Sequence, residues 1–250
     1  VDVIANTEAR LATWAGGNMR NAIPRTCEAV FTLPAENVEE LKAIAAEYAE
    51  TFVNEYKGIE SGIVVTTEDV ETPATQIPKE IQDNVVNAIN ACHNGVLRYI
   101  PSIPEIVETS SNLAIINIGN GKAAIKILAR SASESQKDCL ANMLESCFCM
   151  AGMKVTFSGE YQGWDPNPDS EMIKVMADIY KREFGNEATV SVVHAGLECS
   201  VILSKYPGLD IVSFGPTLQH PHTPQERCEI STMPKFWKLL KCALEEVPVK

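Results

Sequence analysis

The sequence predicts an α+β fold, an antiparallel sheet with helices on one face, followed by a shorter stretch with the alternating grammar of an α/β domain. Three observations predict it. Apolar residues recur at helical spacing in three long segments within residues 1–163. Apolar extended runs flank the turn Gly119-Asn120-Gly121, the signal of a β-hairpin. Finally, Gly163-Trp164-Asp165-Pro166-Asn167-Pro168-Asp169 breaks every pattern and divides the chain into residues 1–163 and 164–250.

Element by element, residues 4–14 have an extended rhythm and read as a strand, closed by the turn Gly16-Gly17-Asn18. Residues 27–33 form a second strand, stopped by Pro34. Residues 36–56 form an amphipathic helix with Val38, Leu41, Ile44, Ala45, Tyr48 and Phe52 on one face and most acidic residues on the other. A short strand follows at residues 63–65, then a helix over 78–91 with Ile81, Val85, Ala88 and Ile89 inward. The hairpin occupies residues 113–118 and 123–128. A helix over 135–151 turns Leu140, Met143, Leu144, Cys147 and Phe148 inward, and residues 154–157 read as a strand. Past the break come a helix at 170–184, a strand at 189–193, a short helix at 199–203, a strand at 210–214 and a helix at 231–246. Two good strands make a poor independent α/β domain, so this stretch reads as the tail of a larger one.

Composition bounds the function. The 250 residues carry 21 basic and 33 acidic side chains, a net charge of −12, with 45% hydrophobic residues. That is globular composition, and its acidity argues against a nucleic-acid surface, which needs clustered Lys and Arg. No apolar run approaches the roughly 18–20 residues of a membrane span, so no membrane partner is expected. The start, Val1-Asp2-Val3-Ile4, has neither a basic region nor an apolar core of a signal peptide and reads as a chain entered in the middle. Eight cysteines without a CxxC pair disfavour a cysteine zinc site and a disulfide framework. Buried free thiols in a reducing cytoplasm are the expectation.

Three segments could carry chemistry. His220-Pro221-His222-Thr223-Pro224-Gln225-Glu226 follows a strand, where α/β folds place their sites, and a neutral imidazole there suits zinc. The competing reading is two exposed loop histidines. His194-Ala195-Gly196-Leu197-Glu198-Cys199 opens a helix, and Gly196 would let a ligand approach the backbone. A plain strand-to-helix turn that needs glycine for its geometry, with His194 hydrogen-bonded in the core, is the reading the residues alone favour. Arg20-Asn21-Ala22-Ile23-Pro24-Arg25, and separately Arg130, could hold a carboxylate or form surface ion pairs. No phosphate loop, nucleophile elbow or dinucleotide fingerprint is present.

Taken in order, Gly16-Gly17-Asn18-Met19-Arg20-Asn21-Ala22-Ile23-Pro24-Arg25, His194-Ala195-Gly196-Leu197-Glu198-Cys199, Ser213-Phe214-Gly215-Pro216 and His222-Thr223-Pro224 with Glu226 closely resemble the co-catalytic zinc peptidase family that includes carboxypeptidase G. Within it the likeness is to the dipeptidases that cleave Xaa-His dipeptides. The resemblance implies a two-zinc α/β catalytic domain interrupted by an α+β lid. Residues 1–163 would be lid, its N-terminal part missing, and 164–250 the last segment of the catalytic domain. It implies that His222 is a metal ligand, that Asn21 and Arg130 grip the substrate's terminal carboxylate, and that Gly196 contacts substrate through its backbone. A homodimer is compatible with a lid of this type. The family's other ligands and its general-base Glu lie upstream of the lid and match no segment here, so the expectation is two Zn²⁺ in a full-length parent, one ligand in this chain, and no hydrolysis by this chain alone. The alternative is a noncatalytic α+β binding or dimerisation module.

Overall fold

A computed structural model of the chain describes residues 1–160, 162–164, 167, 169–192, 198–221 and 225–247. The chain divides into two compact units, the first made of Val1–Tyr99, Thr109–Arg130 and Ser135–Ser158, the second of Ile100–Glu108, Ser131–Glu134 and Gly159–Lys250.

The first unit opens on a helix, α1 (Asp2–Thr7), where a strand was expected, and the strand β1 (Arg10–Gly16) begins only afterwards. Six residues are too few to show a helical period. What holds them is side-chain chemistry: Thr7 Oγ1 donates to Val3 O, Asn6 Nδ2 to Asp2 O, and Asn37 Nδ2 to the Thr7 carbonyl (3.0 Å) that the helix end leaves unpaired. β2 (Cys27–Thr32) pairs antiparallel with β1, which pairs antiparallel with β4 (Ile103–Gly119) through Trp14↔Ile118 and Gly16↔Ile116. α2 (Val38–Glu55) matches the predicted helix, but of its apolar face only Ile44 is buried, and Tyr48 and Phe52 remain exposed. α3 (Lys79–Ala91) buries Gln82, Val85, Val86 and Ala88 while Ile81 lies outward.

β3 (Gly95–Ile100) is a strand the sequence reading passed over, although Val96-Leu97-Arg98-Tyr99-Ile100 has the composition of one. β4 and β5 (Lys122–Ser131) form the predicted hairpin, both longer than expected. The sheet runs β2-β1-β4-β3, with β5 also on β4. The two-residue connections β3–β4 and β4–β5 can only join antiparallel strands. α4 (Glu134–Met150) buries Leu140, Leu144 and Phe148 against Ala88 and Cys92 of the α3 end, over Leu97, Leu113, Ile125, Ile127 and Ala129 of the sheet. The antiparallel sheet with α3 and α4 packed on one face is the α+β architecture the sequence predicted. Met143, expected inside, is exposed.

Residues 63–65 and 154–157, expected as strands, have no ladder partner among the described residues. Val155 nonetheless packs on the α3–α4 core, which accounts for its apolar character.

The second unit holds α5 (Glu171–Phe184), α6 (Glu198–Lys205), a two-stranded ribbon of β6 (Leu218–Gln219) and β7 (Arg227–Cys228), and α7 (Met233–Glu246). α5 and α7 bury Met176, Ile179, Leu239 and Ala243 together. Residues 189–192 and 210–214 were expected as strands and have no strand assignment. Val212 and Phe214 do turn into the α5–α7 core, so the alternation is real, but a strand needs a neighbouring ladder and none is found among the described residues.

Candidate functional site

Asn21 lies in an exposed turn over residues 19–22, between β1 and β2, closed by Ala22 N–H to Met19 O (3.4 Å). The stretch leading to it is set by Gly17. At φ +70 this residue is in the left-handed region, and an added Cβ would sit 1.8 Å from the carbonyl oxygen of Ala114 on β4. Only glycine allows that approach. A side chain of β4 then reaches the turn: Asn112 Nδ2 donates to Arg20 O (3.0 Å) and to Ala22 O (2.8 Å), the two carbonyls on either side of Asn21.

Arg130 stands half-buried near the end of β5. Its predecessor Ala129 packs on the α3–α4 core, so strand alternation turns Arg130 to the opposite face. The same holds for Asn112. Its neighbour Leu113 packs on that core, and its other neighbour Ser111 exchanges hydrogen bonds with His93 at the α3 end (Nδ1···Oγ 2.8 Å, Oγ to the His93 carbonyl 2.7 Å). β5 pairs with β4. Asn112, with the turn it holds, and Arg130 thus belong to adjacent strands and to one sheet face, away from the helices. Arg20 and Arg25, the other carboxylate candidates, are exposed.

His194, Gly196 and His222 lie outside the described residues. His220 directly follows the ribbon strand β6 and has φ 52, a left-handed conformation. The ribbon that carries the loop is tied by Arg227 Nε donating to Gln219 Oε1 (2.7 Å) and Glu229 N–H to Thr217 O (2.9 Å). Among the described residues, no group of three or more His, Cys, Asp or Glu side chains is arranged to hold a metal ion. All eight cysteines are free, but only Cys92 is buried, and Cys27, Cys139, Cys149 and Cys228 are exposed, against the expectation of buried thiols. Burial pushes the Cys92 thiol above its usual range, and nearby Cys147 adds to the shift.

A cleft of about 860 Å³ in the first unit is lined by Arg10, Lys79, Gln82 and Asp83 among others, and none of the predicted site residues lines it. Asn112 is the site residue that sequence reasoning missed. The available signal was an asparagine within a strand, where that residue is depleted.

Comparison with known proteins bears on the family and the fold. The chain is 33% identical over 243 residues to the cytosol non-specific dipeptidase of Escherichia coli (strain K12), covering 97% of this chain and 50% of that protein. It superposes on the crystal structure of aminoacylhistidine dipeptidase from Vibrio alginolyticus with a TM-score of 0.91 and 38% identity, over 99% of this chain and 50% of that one. The chain therefore spans about half the length of the relatives it matches. No helix among the described residues is long and apolar enough to cross a membrane. Residues 24–246 match peptidase family M20/M25/M40, and the chain belongs to that family.

Proposed function

We propose that this chain is the carboxylate-gripping part of a metallo-dipeptidase of the cytosol that hydrolyses Xaa-His dipeptides. In this reading residues 1–163 are its lid, and 164–250 contribute the last segment of its catalytic domain. The observation that supports the proposal is the Asn21 turn pinned to β4 by Asn112, with Arg130 on β5, the strand that pairs with β4. A guanidinium offers a carboxylate two parallel N–H donors, and a primary amide adds a third without adding charge. Such a grip takes a free C-terminal carboxylate one residue beyond the scissile bond. It favours dipeptides over longer chains, because a further residue replaces the carboxylate with a neutral amide. Gly196 is assigned a backbone contact to substrate.

Two Zn²⁺ are the cofactor this reading implies, and His222 is the residue of this chain assigned to them. When bound, zinc supplies Lewis acidity to the scissile carbonyl and an activated water. One imidazole cannot hold two ions, so on this reading the chain by itself is inactive. The test is kinetics of Arg130→Ala in the full-length protein. The expected result is a KM for a Xaa-His dipeptide raised about 10- to 100-fold, the loss of a charged hydrogen bond worth roughly 1.5–3 kcal/mol. Unchanged KM and kcat would sink the reading.

A further inference from the structure

We propose that Asn112 is a positioning residue for substrate selection: its carboxamide holds the turn so that Asn21 meets the terminal carboxylate. The inference rests on the carboxylate reading above and extends it to a residue that touches no substrate. The turn has little to hold it from within, since its own closing hydrogen bond is long, at 3.4 Å, and Asn21 is exposed. Its tether is remote. Asn112 lies 92 and 90 residues away in sequence from the two carbonyls it binds. Of those carbonyls, that of Arg20 belongs to the peptide plane before the Asn21 Cα and that of Ala22 to the plane one residue further on, while the plane between them is held by Ala22 N–H on Met19 O, so the three contacts together set the backbone through Asn21 and with it the direction of its side chain.

The chemistry of position 112 is also specific. Both carbonyl oxygens are acceptors, so the group facing them must offer two protons, and a primary amide nitrogen does so. Its oxygen is thereby turned away, which settles the orientation of the amide. Ser or Thr has one proton to give, and Asp none. A purely structural tether could have been placed anywhere along the loop. This one straddles the residue assigned to the carboxylate and stands on the same sheet face as Arg130, the other residue so assigned. β4, buried against α3 and α4 on its other face, supplies a rigid base for the turn.

The experiment compares a Xaa-His dipeptide with the same dipeptide amidated at its C-terminus, in the full-length protein, using the ratio of their kcat/KM values. Asn112→Asp keeps the side-chain shape and sets an acceptor against two acceptors. The expected result is a ratio lowered about 10- to 100-fold through KM on the free dipeptide, with kcat within about twofold and the amide unaffected. Asn112→Ala, which removes the donor without repulsion, lowers the ratio in the same direction and serves if the Asp variant folds poorly. Because both residues act through one contact, Asn21→Ala combined with Asn112→Asp is no worse than Asn21→Ala alone. If Asn21→Ala lowers the ratio but neither Asn112 variant does, or if the losses multiply, the positioning role is wrong and the carboxylate reading stands. If Asn21→Ala leaves the ratio unchanged, the carboxylate reading fails and takes the positioning role with it.

Discussion

Gly17 and Gly121 share a backbone conformation, φ +70 and +73, yet they stand in different surroundings. A Cβ on Gly121 meets nothing within 4 Å, whereas one on Gly17 would overlap the Ala114 carbonyl. Gly121→Ala is therefore expected to cost only the left-handed penalty, about 1–2 kcal/mol. Gly17→Ala adds a backbone displacement of about 1–3 kcal/mol and moves the Asn21 turn with it. Chemical denaturation of the two variants gives the difference. On the proposed function, the same pair placed in the full-length protein and assayed for dipeptide KM should show a raised KM in Gly17→Ala alone, and equal effects would remove the close approach from the account. At this scale the sequence was half legible. Gly16-Gly17-Asn18 announces a turn, but that Gly17 lies against β4 depends on a strand 97 residues further on in sequence, at Ala114, and no local pattern encodes that separation.

α5 shows how a helix recognisable in sequence is finished by a contact that is not. Ser170 is its N-cap, accepting from Ile173 N–H at 3.0 Å, and Asp210 completes the end by accepting from Met172 N–H at 2.9 Å and from the Ser170 hydroxyl at 2.5 Å. Ser170→Ala should cost about 1 kcal/mol. Ile179→Ala, at a fully buried position in the α5–α7 contact, should cost about 2–5 kcal/mol, enough to separate packing from capping in one denaturation series. At the far end, Arg182 binds Glu246 and Glu183, and Lys238 binds Glu183 at 2.8 Å. Lys238 and Arg182 hold the Glu183 carboxyl below its ordinary value of 4.5, and Arg182 does the same for Glu246. A carboxyl lowered on folding stabilises above its unfolded pKa, and the contribution is lost as pH falls through the folded value. Glu246→Gln should therefore have a slightly lower Tm than the parent at pH 7, small because the pair is exposed, and the gap should close below about pH 4.5. The long helices were legible because their burial repeats every three to four residues. Residues 154–157 and 210–214 alternate like strands without being paired, since alternation records which side chains are buried and not whether a neighbour exists.

Over the whole molecule, the α+β class was legible and the site only in part. Asn21 and Arg130 were singled out in the sequence, but the turn that carries Asn21 is held by Asn112, on a strand whose middle, Glu108-Thr109-Ser110-Ser111-Asn112, is polar. Glu108, Thr109 and Ser111 are buried there, and burial of polar residues is what a hydrophobic pattern cannot reveal. The cysteines make the same point with a measurable outcome. Eight thiols in apolar segments suggested uniform burial, yet their environments diverge. Cys139 and Cys149 ride the outer side of α4, and Cys27 and Cys228 are also exposed, while Cys92 is 8% exposed at the α3–α4 contact, its Sγ donating to Ile89 O at 3.3 Å. Alkylation needs the thiolate and access to it, and Cys92 lacks both: its pKa is raised by burial, and its path to solvent is closed. Timed iodoacetamide labelling read by peptide mass spectrometry should modify the four exposed thiols first. Cys92 should follow more slowly by on the order of tenfold or more, and denaturant should abolish the difference. Cys92 labelling at the rate of Cys149 in the native chain would mean that α3 and α4 open together on the labelling timescale, and that the sheet face beneath them does not provide the rigid base on which the Asn112 tether depends.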